Sequence, residues 1–269
     1  MTTKTIHSKI AIIITAAGSS TRIGGGIKKE YLPYKNGTVL SVCAETFLNA
    51  CAGLEITDFI VTCPKGGAEK CREALGKMDC FAPLEMTIVE GSDTRQKSVY
   101  NGLLAVKGQP DIVLIHDGAR PFVSREVIME ALEAAVQYGV SVPGITPTDT
   151  QKEIDGEGFI ARHLVRSNLI AVQTPQCFDF AKLLEAHGRA AKDNREYTDD
   201  TEIWGAYCGR VKVTKGDVNN IKITYPSDLE KLNAADDKAL SEDSELAVDN
   251  NFTEENDQEE PDDSSWAWL

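Results

Sequence analysis

Five short apolar runs punctuate the first 145 residues: IAIIIT (10–15), ITDFIVTC (56–63), EMTIVEG (85–91), DIVLIHD (111–117) and VSVPGI (140–145). Each has strand length, and apolarity on both faces is the pattern of a sheet covered by helices on each side. Between them lie LSVCAETFLNAC, AEKCREALGKM, RQKSVYNGLLAV and SREVIMEALEAAVQYG, with apolar residues at helical spacing and Ser124, downstream of Pro121, placed to cap the last. Strand and helix in alternation predict right-handed crossovers and a mostly parallel, Rossmann-like α/β sheet flanked by helices.

The rhythm breaks near Gly144. The stretch ITPTDTQKEIDGEGFIARHLVRSNLIAVQTPQCF is rich in β-branched residues and carries a turn signal at DGEG (155–158), which predicts a protruding β-arm over about 146–172. Helical patterning returns in DFAKLLEAHGRAAK and TDDTEIWGAYCG, where Thr198 or Asp199 can cap through Glu202. RVKVTKG and NIKITYP read as final strands, and PSDLEKLNAA as a last helix. No internal repeat is visible.

Charge changes this picture at one end. The net charge is −14, yet residues 241–269 hold eleven acidic residues and no Lys or Arg, leaving −3 for residues 1–240. The tail lacks an apolar period and its charges repel, so composition predicts a disordered acidic appendage to a folded domain of residues 1–240. Its WAWL end offers the one apolar handle there. An acidic chain with no basic stripe argues against nucleic-acid binding. No run approaches the roughly 20 apolar residues of a membrane helix, and MTTKTIHSKI lacks the apolar core of a secretory signal, so a cytoplasmic protein is expected. The seven cysteines (43, 51, 63, 71, 80, 177 and 208) form no CxxC pair and are expected to be buried, reduced thiols.

In an open parallel sheet, ligands bind beyond the carboxyl ends of the strands. Two loops fall there. TAAGSSTRIGGGIKKEYL (15–32) follows the first strand. It has neither G-x-G-x-x-G nor the GK[ST] phosphate-loop spacing. Gly18 allows a tight turn, Ser19, Ser20 and Thr21 offer hydroxyls, and Arg22 and Lys29 supply positive charge for a triphosphate. A Gly-rich surface turn with solvated cations would read the same way in isolation. In HDGARP, Asp117 ends an apolar strand, where a carboxylate is costly unless paired. A divalent cation bridging phosphates would pair it, and Arg120 could grip a second phosphate; a structural Asp117–Arg120 pair is the alternative. His116 falls on the opposite face and reads as a packed core residue.

Taken together, TAAGSSTRIGGGIKKEYL, GSDTRQKSVYNGL, VLIHDGARPF, ITPTDTQK, RSNLIAVQTPQCF, TDDTE and NIKITYPSDL, in that order, resemble the 2-C-methyl-D-erythritol 4-phosphate cytidylyltransferase family of the non-mevalonate isoprenoid pathway, over about residues 9–233. The resemblance implies an enzyme that joins CTP to a phosphorylated polyol and releases pyrophosphate. By matching positions it implies that Arg22, Lys29 and Lys222 clamp the triphosphate and its developing charge. Ala16, Ala17, Gly18 and Ser19 would form the nucleotide turn, and Gly91, Asp93, Arg95 and Ser98 would lie near cytosine and ribose. Asp117 would hold Mg²⁺, and Arg120, Thr150, Arg166, Thr174 and Thr198 would surround the polyol phosphate. It also implies a homodimer, with the arm crossing to the partner so that the site is shared. Two positions depart from the family's usual wording: Gly118 stands where Ala is common, and Lys97 where an acidic residue is common before Ser98.

Three other readings compete. A dinucleotide-dependent oxidoreductase would need Rossmann glycine spacing and an acid after the second strand, and IVTCPKGG has none. A non-catalytic nucleotide-binding module would have no use for Arg22, Lys29, Asp117 and Lys222 together. A pentitol-phosphate cytidylyltransferase would share the CTP half, but Thr150 and Arg166 fit the methylerythritol acceptor site better.

Overall fold

The structure, a computed structural model, describes residues 6–18, 28–76, 85–225 and 227–228. The chain divides into two units, 1–224 and 225–269, and the fold below is that of the first. In the second, the Tyr225 N–H donates to Asp228 Oδ2 at 2.9 Å. The acidic tail, most of PSDLEKLNAA and Cys80 lie outside the described residues.

The chain runs β1 (Ile10–Thr15), a short hairpin β2 (Pro33–Tyr34) and β3 (Gly37–Thr38), α1 (Val39–Ala50), β4 (Ile56–Cys63), α2 (Ala68–Leu75), β5 (Met86–Glu90), α3 (Arg95–Ala105), β6 (Ile112–Asp117), α4 (Arg125–Tyr138) and β7 (Val140–Ile145). The arm follows as β8 (Lys152–Ile154) and β9 (Ile160–His163), then β10 (Ala171–Val172), β11 (Gln176–Asp179), α5 (Phe180–Lys192), α6 (Asp200–Tyr207) and β12 (Lys212–Lys215). The apolar runs and helical spacings thus became strands and helices within a few residues of the predicted limits. Ser124 caps α4 through the Val127 N–H, and Asp199 caps α6 through the Glu202 N–H.

Eight strands form one sheet in which β5, β4, β1 and β6 are parallel neighbours. Antiparallel β11 inserts between β6 and β7, and β12 runs parallel to β7. The period of two in β1 sorts its residues onto two cores. Ile10, Ile12 and Ile14 pack with Leu114, Phe47 of α1 and Leu132 of α4; Ala11 and Ile13 pack with Ile115, Val99 of α3, Leu183 of α5 and Trp204 of α6. All six residues from Ile10 to Thr15 are paired on both edges, which is why the run is apolar throughout.

One sequence expectation fails. NIKITYP is not a strand: residues 220–225 carry no ladder, and the Ile223 N–H makes a single bond to the Ala119 carbonyl at 2.9 Å. Its β-branched residues serve a crossing segment instead, with Ile223 fully buried and Ile221 and Thr224 half-buried. The hairpin β2–β3 gave no sequence signal because two-residue strands are too short to show alternation.

Candidate active site

Chain order makes a crevice. From β1 the sheet grows outward through β4 to β5, then the chain returns to β6 on the other side of β1. Register places Thr15 beside both Thr62 and Asp117, and Cys63 beside Glu90. The loops after β1, β5 and β6 therefore leave the sheet at one edge, at the switch point where such folds bind ligands. Because β11 is antiparallel, it begins at that same edge, with Gln176 opposite Ile115. The segment after parallel β12 crosses it too. A pocket of about 480 Å³ opens there, lined by residues of all these loops, among them Ala17, Gly18, Lys29, Asp93, Arg95, Ser98, Asp117 and Lys222.

Asp117 is its centre. Only 8% exposed, it meets Lys222 Nζ at 2.8 Å and Arg120 Nε at 3.5 Å through Oδ2, and Arg95 Nε at 3.9 Å and Thr15 Oγ1 at 3.5 Å through Oδ1. Burial alone would raise its pKa, but Lys222, Arg95 and Arg120 override this and hold the carboxyl far below the usual range. The group is a permanent anion inside a surplus of cations. Lys29 is buried in the 3₁₀ turn Lys29–Tyr31, and its Nζ donates to the Ile223 carbonyl at 2.9 Å. That bond ties the first loop to the crossing segment that carries Lys222.

The floor under Arg95 is the N-terminus of α3, capped by Thr94. Its first amide donors and dipole suit an anion or polar edge. Ser98 Oγ accepts from the Ser92 N–H at 2.9 Å and donates to the Thr94 carbonyl at 2.8 Å, which fixes the loop. Gly91 shows why a side chain is excluded here: a Cβ would stand 2.5 Å from that of Ala17 and 2.7 Å from Ser98 Oγ. Asp93, exposed, pairs with Lys97 at 3.0 Å, so the departure at position 97 is met by a local ion pair.

Thr174 is buried behind Asp117 rather than lining the pocket. Its hydroxyl oxygen accepts the Asp117 N–H at 3.2 Å and lies 3.0 Å from His116 Nδ1. His116 is the packed residue the sequence predicts, with its ring 4.5 Å from that of Phe47. Arg120 Nη1 donates to the Asn220 carbonyl at 2.7 Å. Thr198 is exposed, with its hydroxyl on Glu202 at 2.9 Å. Neither Thr150 nor Arg166 lines the pocket; both are exposed on the arm, and Arg166 Nη1 donates to the Thr148 carbonyl at 2.9 Å. Ser19 and Arg22 lie outside the described residues.

Several residues had no role in the sequence reading. Lys28 Nζ donates to the carbonyls of Ala16 (2.7 Å) and Gly18 and so braces the turn after β1. Thr15 is the last residue of β1, and only the β1–β6 register shows that it faces Asp117. Asp200 sits within the TDDTE motif but is fully buried, where it binds Arg95. The five described cysteines other than exposed Cys208 are buried, and burial raises their thiol pKa values, Cys51 to about 12. Burial of these five is what the sequence predicts; exposed Cys208 departs from it.

Comparison with known proteins agrees with this geometry. The family model for 2-C-methyl-D-erythritol 4-phosphate cytidylyltransferase matches residues 10–235. A protein of that name from Clostridium novyi is 40% identical over 222 residues, covering 82% of this chain and 94% of the relative. The crystal structure of the 4-diphosphocytidyl-2C-methyl-D-erythritol synthase from Anaerococcus prevotii superposes with a TM-score of 0.71 at 30% identity, covering 86% of this chain and 99% of the other. The Thermus thermophilus cytidylyltransferase gives 0.67 at 32% identity, covering 84% and 98%. The chain belongs to the 2-C-methyl-D-erythritol 4-phosphate cytidylyltransferase family.

Proposed function

We propose that the switch-point pocket is where the chain carries out the reaction of its family, and that it works by positioning charge. That reaction joins CTP and 2-C-methyl-D-erythritol 4-phosphate into 4-CDP-2-C-methyl-D-erythritol with release of pyrophosphate, in the non-mevalonate isoprenoid pathway. The observation that carries the proposal is the cluster of Lys222, Arg95 and Arg120 around buried Asp117 in a pocket that Lys29 also lines.

The attacking group is an oxygen of the acceptor phosphate, already ionised at neutral pH. It forms a bond to the α-phosphorus of CTP as the bond to the bridging oxygen breaks and pyrophosphate leaves. No proton has to be removed, so no general base is required. The obstacle is the meeting of two polyanions. Lys29, Lys222 and, in the first loop, Arg22 hold the triphosphate and stabilise charge that grows on the departing pyrophosphate. Ala16, Ala17, Gly18, Ser19, Gly91, Asp93, Arg95 and Ser98 form the nucleotide side. Arg120 and Thr198 serve the acceptor side, and Thr174 supports it from behind by holding the Asp117 backbone.

Asp117 fits a Mg²⁺ ion. Among the described residues no group of three or more His, Cys, Asp or Glu could hold a metal, but Mg²⁺ needs only one or two carboxylates when phosphates complete its shell. Oδ1 of Asp117 has only long contacts and is the oxygen available to it. The ion, when bound, would neutralise phosphate charge. Thr150 and Arg166 act on the acceptor across a homodimer, and the arm that carries them exposes Phe159 (69%) and Ile154 (64%), apolar surface suited to a second copy. No helix among the described residues is long and apolar enough to cross a membrane, and the protein works in the cytoplasm.

The test is pyrophosphate release from CTP with Mg²⁺ and either methylerythritol phosphate or ribitol 5-phosphate. Turnover should require the first acceptor, and Asp117→Asn should shift the Mg²⁺ titration to higher concentration. Equal turnover with both acceptors would refute the acceptor assignment. An unchanged titration would remove Asp117 as the metal ligand.

A further inference from the structure

Arg95 is held from both ends. Its Nη1 donates to Asp200 Oδ2 at 2.7 Å, while its Nε faces Asp117 Oδ1 at 3.9 Å. The two contacts differ in kind. Asp117 lies in the pocket, where a metal would compete for its oxygens and a phosphate for its cationic partners. Asp200 lies outside the pocket, with no exposed surface, and its other oxygen faces His187 Nε2 at 3.1 Å. A carboxylate can only accept, so Nε2 carries the proton and the imidazole fixes which way Asp200 points. His187 is itself fully buried, with its ring stacked 5.8 Å from that of Tyr100. Burial would raise the pKa of Asp200, but Arg95 first and then His187 hold it low, so the anchor stays charged.

We propose that Asp200, oriented by His187, is a positioning residue for nucleotide binding: it fixes the Arg95 guanidinium at the pocket wall when Asp117 turns to its other partners. The inference rests on the reading that Arg95 contacts CTP. Arg95 bridges α3 and α6, whose N-termini come from distant parts of the chain. Without Asp200, the remaining carboxylate contact of Arg95 among the described residues is the long one to Asp117. The guanidinium would then follow Asp117 instead of the nucleotide.

The experiment is a double-mutant cycle read by CTP binding with full-length protein, using equilibrium dialysis with Mg²⁺ and no acceptor. Arg95→Ala tests the underlying reading, and unchanged CTP affinity in that variant would sink the reading itself. Given a loss there, Asp200→Asn should weaken CTP binding about ten-fold or more, the size of one charged hydrogen bond. The KM for the polyol phosphate should stay within about two-fold. Added to Arg95→Ala, Asp200→Asn should cost nothing further, since it acts through that arginine. Full CTP affinity in Asp200→Asn, or the same loss in both backgrounds, overturns the proposal. If Asp200→Asn does not fold, His187→Ala and His187→Gln carry the test. Alanine should weaken CTP binding and glutamine, which keeps a donor, should restore most of it; equal behaviour of the two overturns the positioning role.

Discussion

His116 should make stability depend on pH in a window separable from that of the carboxylates. The residue is fully buried beneath the catalytic edge. Its Nε2–H donates to the Arg120 carbonyl at 3.0 Å, so Nδ1 accepts from the Thr174 hydroxyl at 3.0 Å. That hydroxyl oxygen in turn receives the Asp117 N–H. The chain of donors works only with a neutral ring. Burial holds the imidazole pKa down to about 4, with Arg120 and Lys222 adding to the effect while the bond to the Arg120 carbonyl and the Asp117 charge oppose it. An unfolded histidine titrates near 6.5. Between those values the unfolded chain binds a proton that the folded one refuses, so stability falls as pH drops from about 6.5 to about 4. The slope is about 1.4 kcal/mol per pH unit, or about 3 kcal/mol across the window. Asp117 and Asp200, whose pKa values are depressed, lose their contributions mainly below pH 4 and leave the window clean. Urea unfolding followed by fluorescence of buried Trp204, at fixed ionic strength, gives the slope. In His116→Gln the intercept should fall, because two buried hydrogen bonds are disturbed, but the slope should vanish. A variant that keeps the wild-type slope refutes the reasoning.

Lys29→Ala and Lys222→Ala should each lower kcat about 10²–10³-fold with smaller effects on KM, as expected of contacts that strengthen in the transition state; steady-state kinetics with both substrates decides, and a near-normal kcat removes the residue from the catalytic set. Gly91→Ala should raise the Kd for CTP with little change in Tm, since its Cβ would force Ala17 or Ser98 aside within the nucleotide loops; unaltered binding would show that the loop yields freely. Arg166→Ala and Lys29→Ala, each inactive alone, should regain up to about half of wild-type activity per heterodimer when subunits exchange. No recovery despite exchange seen by mass spectrometry would mean the arm serves its own chain.

The fold was legible where burial is two-sided. IAIIIT, ITDFIVTC and DIVLIHD sit in the sheet's centre, where mainly apolar residues fill both cores. NIKITYP misled because its β-branched residues answer to a crossing path at the sheet edge, and single-chain periodicity cannot distinguish a buried crossing from a paired strand. In the site, Asp117 was visible as a charge ending an apolar strand, and Lys29 as a cation in the first loop. Thr15 was not visible, because its role depends on register with a strand a hundred residues away. Asp200 was hidden for another reason: next to Asp199, which caps α6, it looks like a second acidic residue in a helix's first turn. Only three-dimensional placement shows that it faces Arg95.

The pairing of β7 with β10 bears on how this scaffold can be altered. Ile145 stands opposite Ala171 and Gly144 opposite Val172, so residues 146–170 leave the sheet and rejoin it at one clasp. Everything that fixes Asp117, Arg95 and Lys222 lies outside that excursion. The arm is thus an insert that can be exchanged without cutting into the sheet or into the cluster around Asp117. An arm grafted between Ile145 and Ala171 should leave the ion pairs of Asp117, Arg95 and Lys222 as they are.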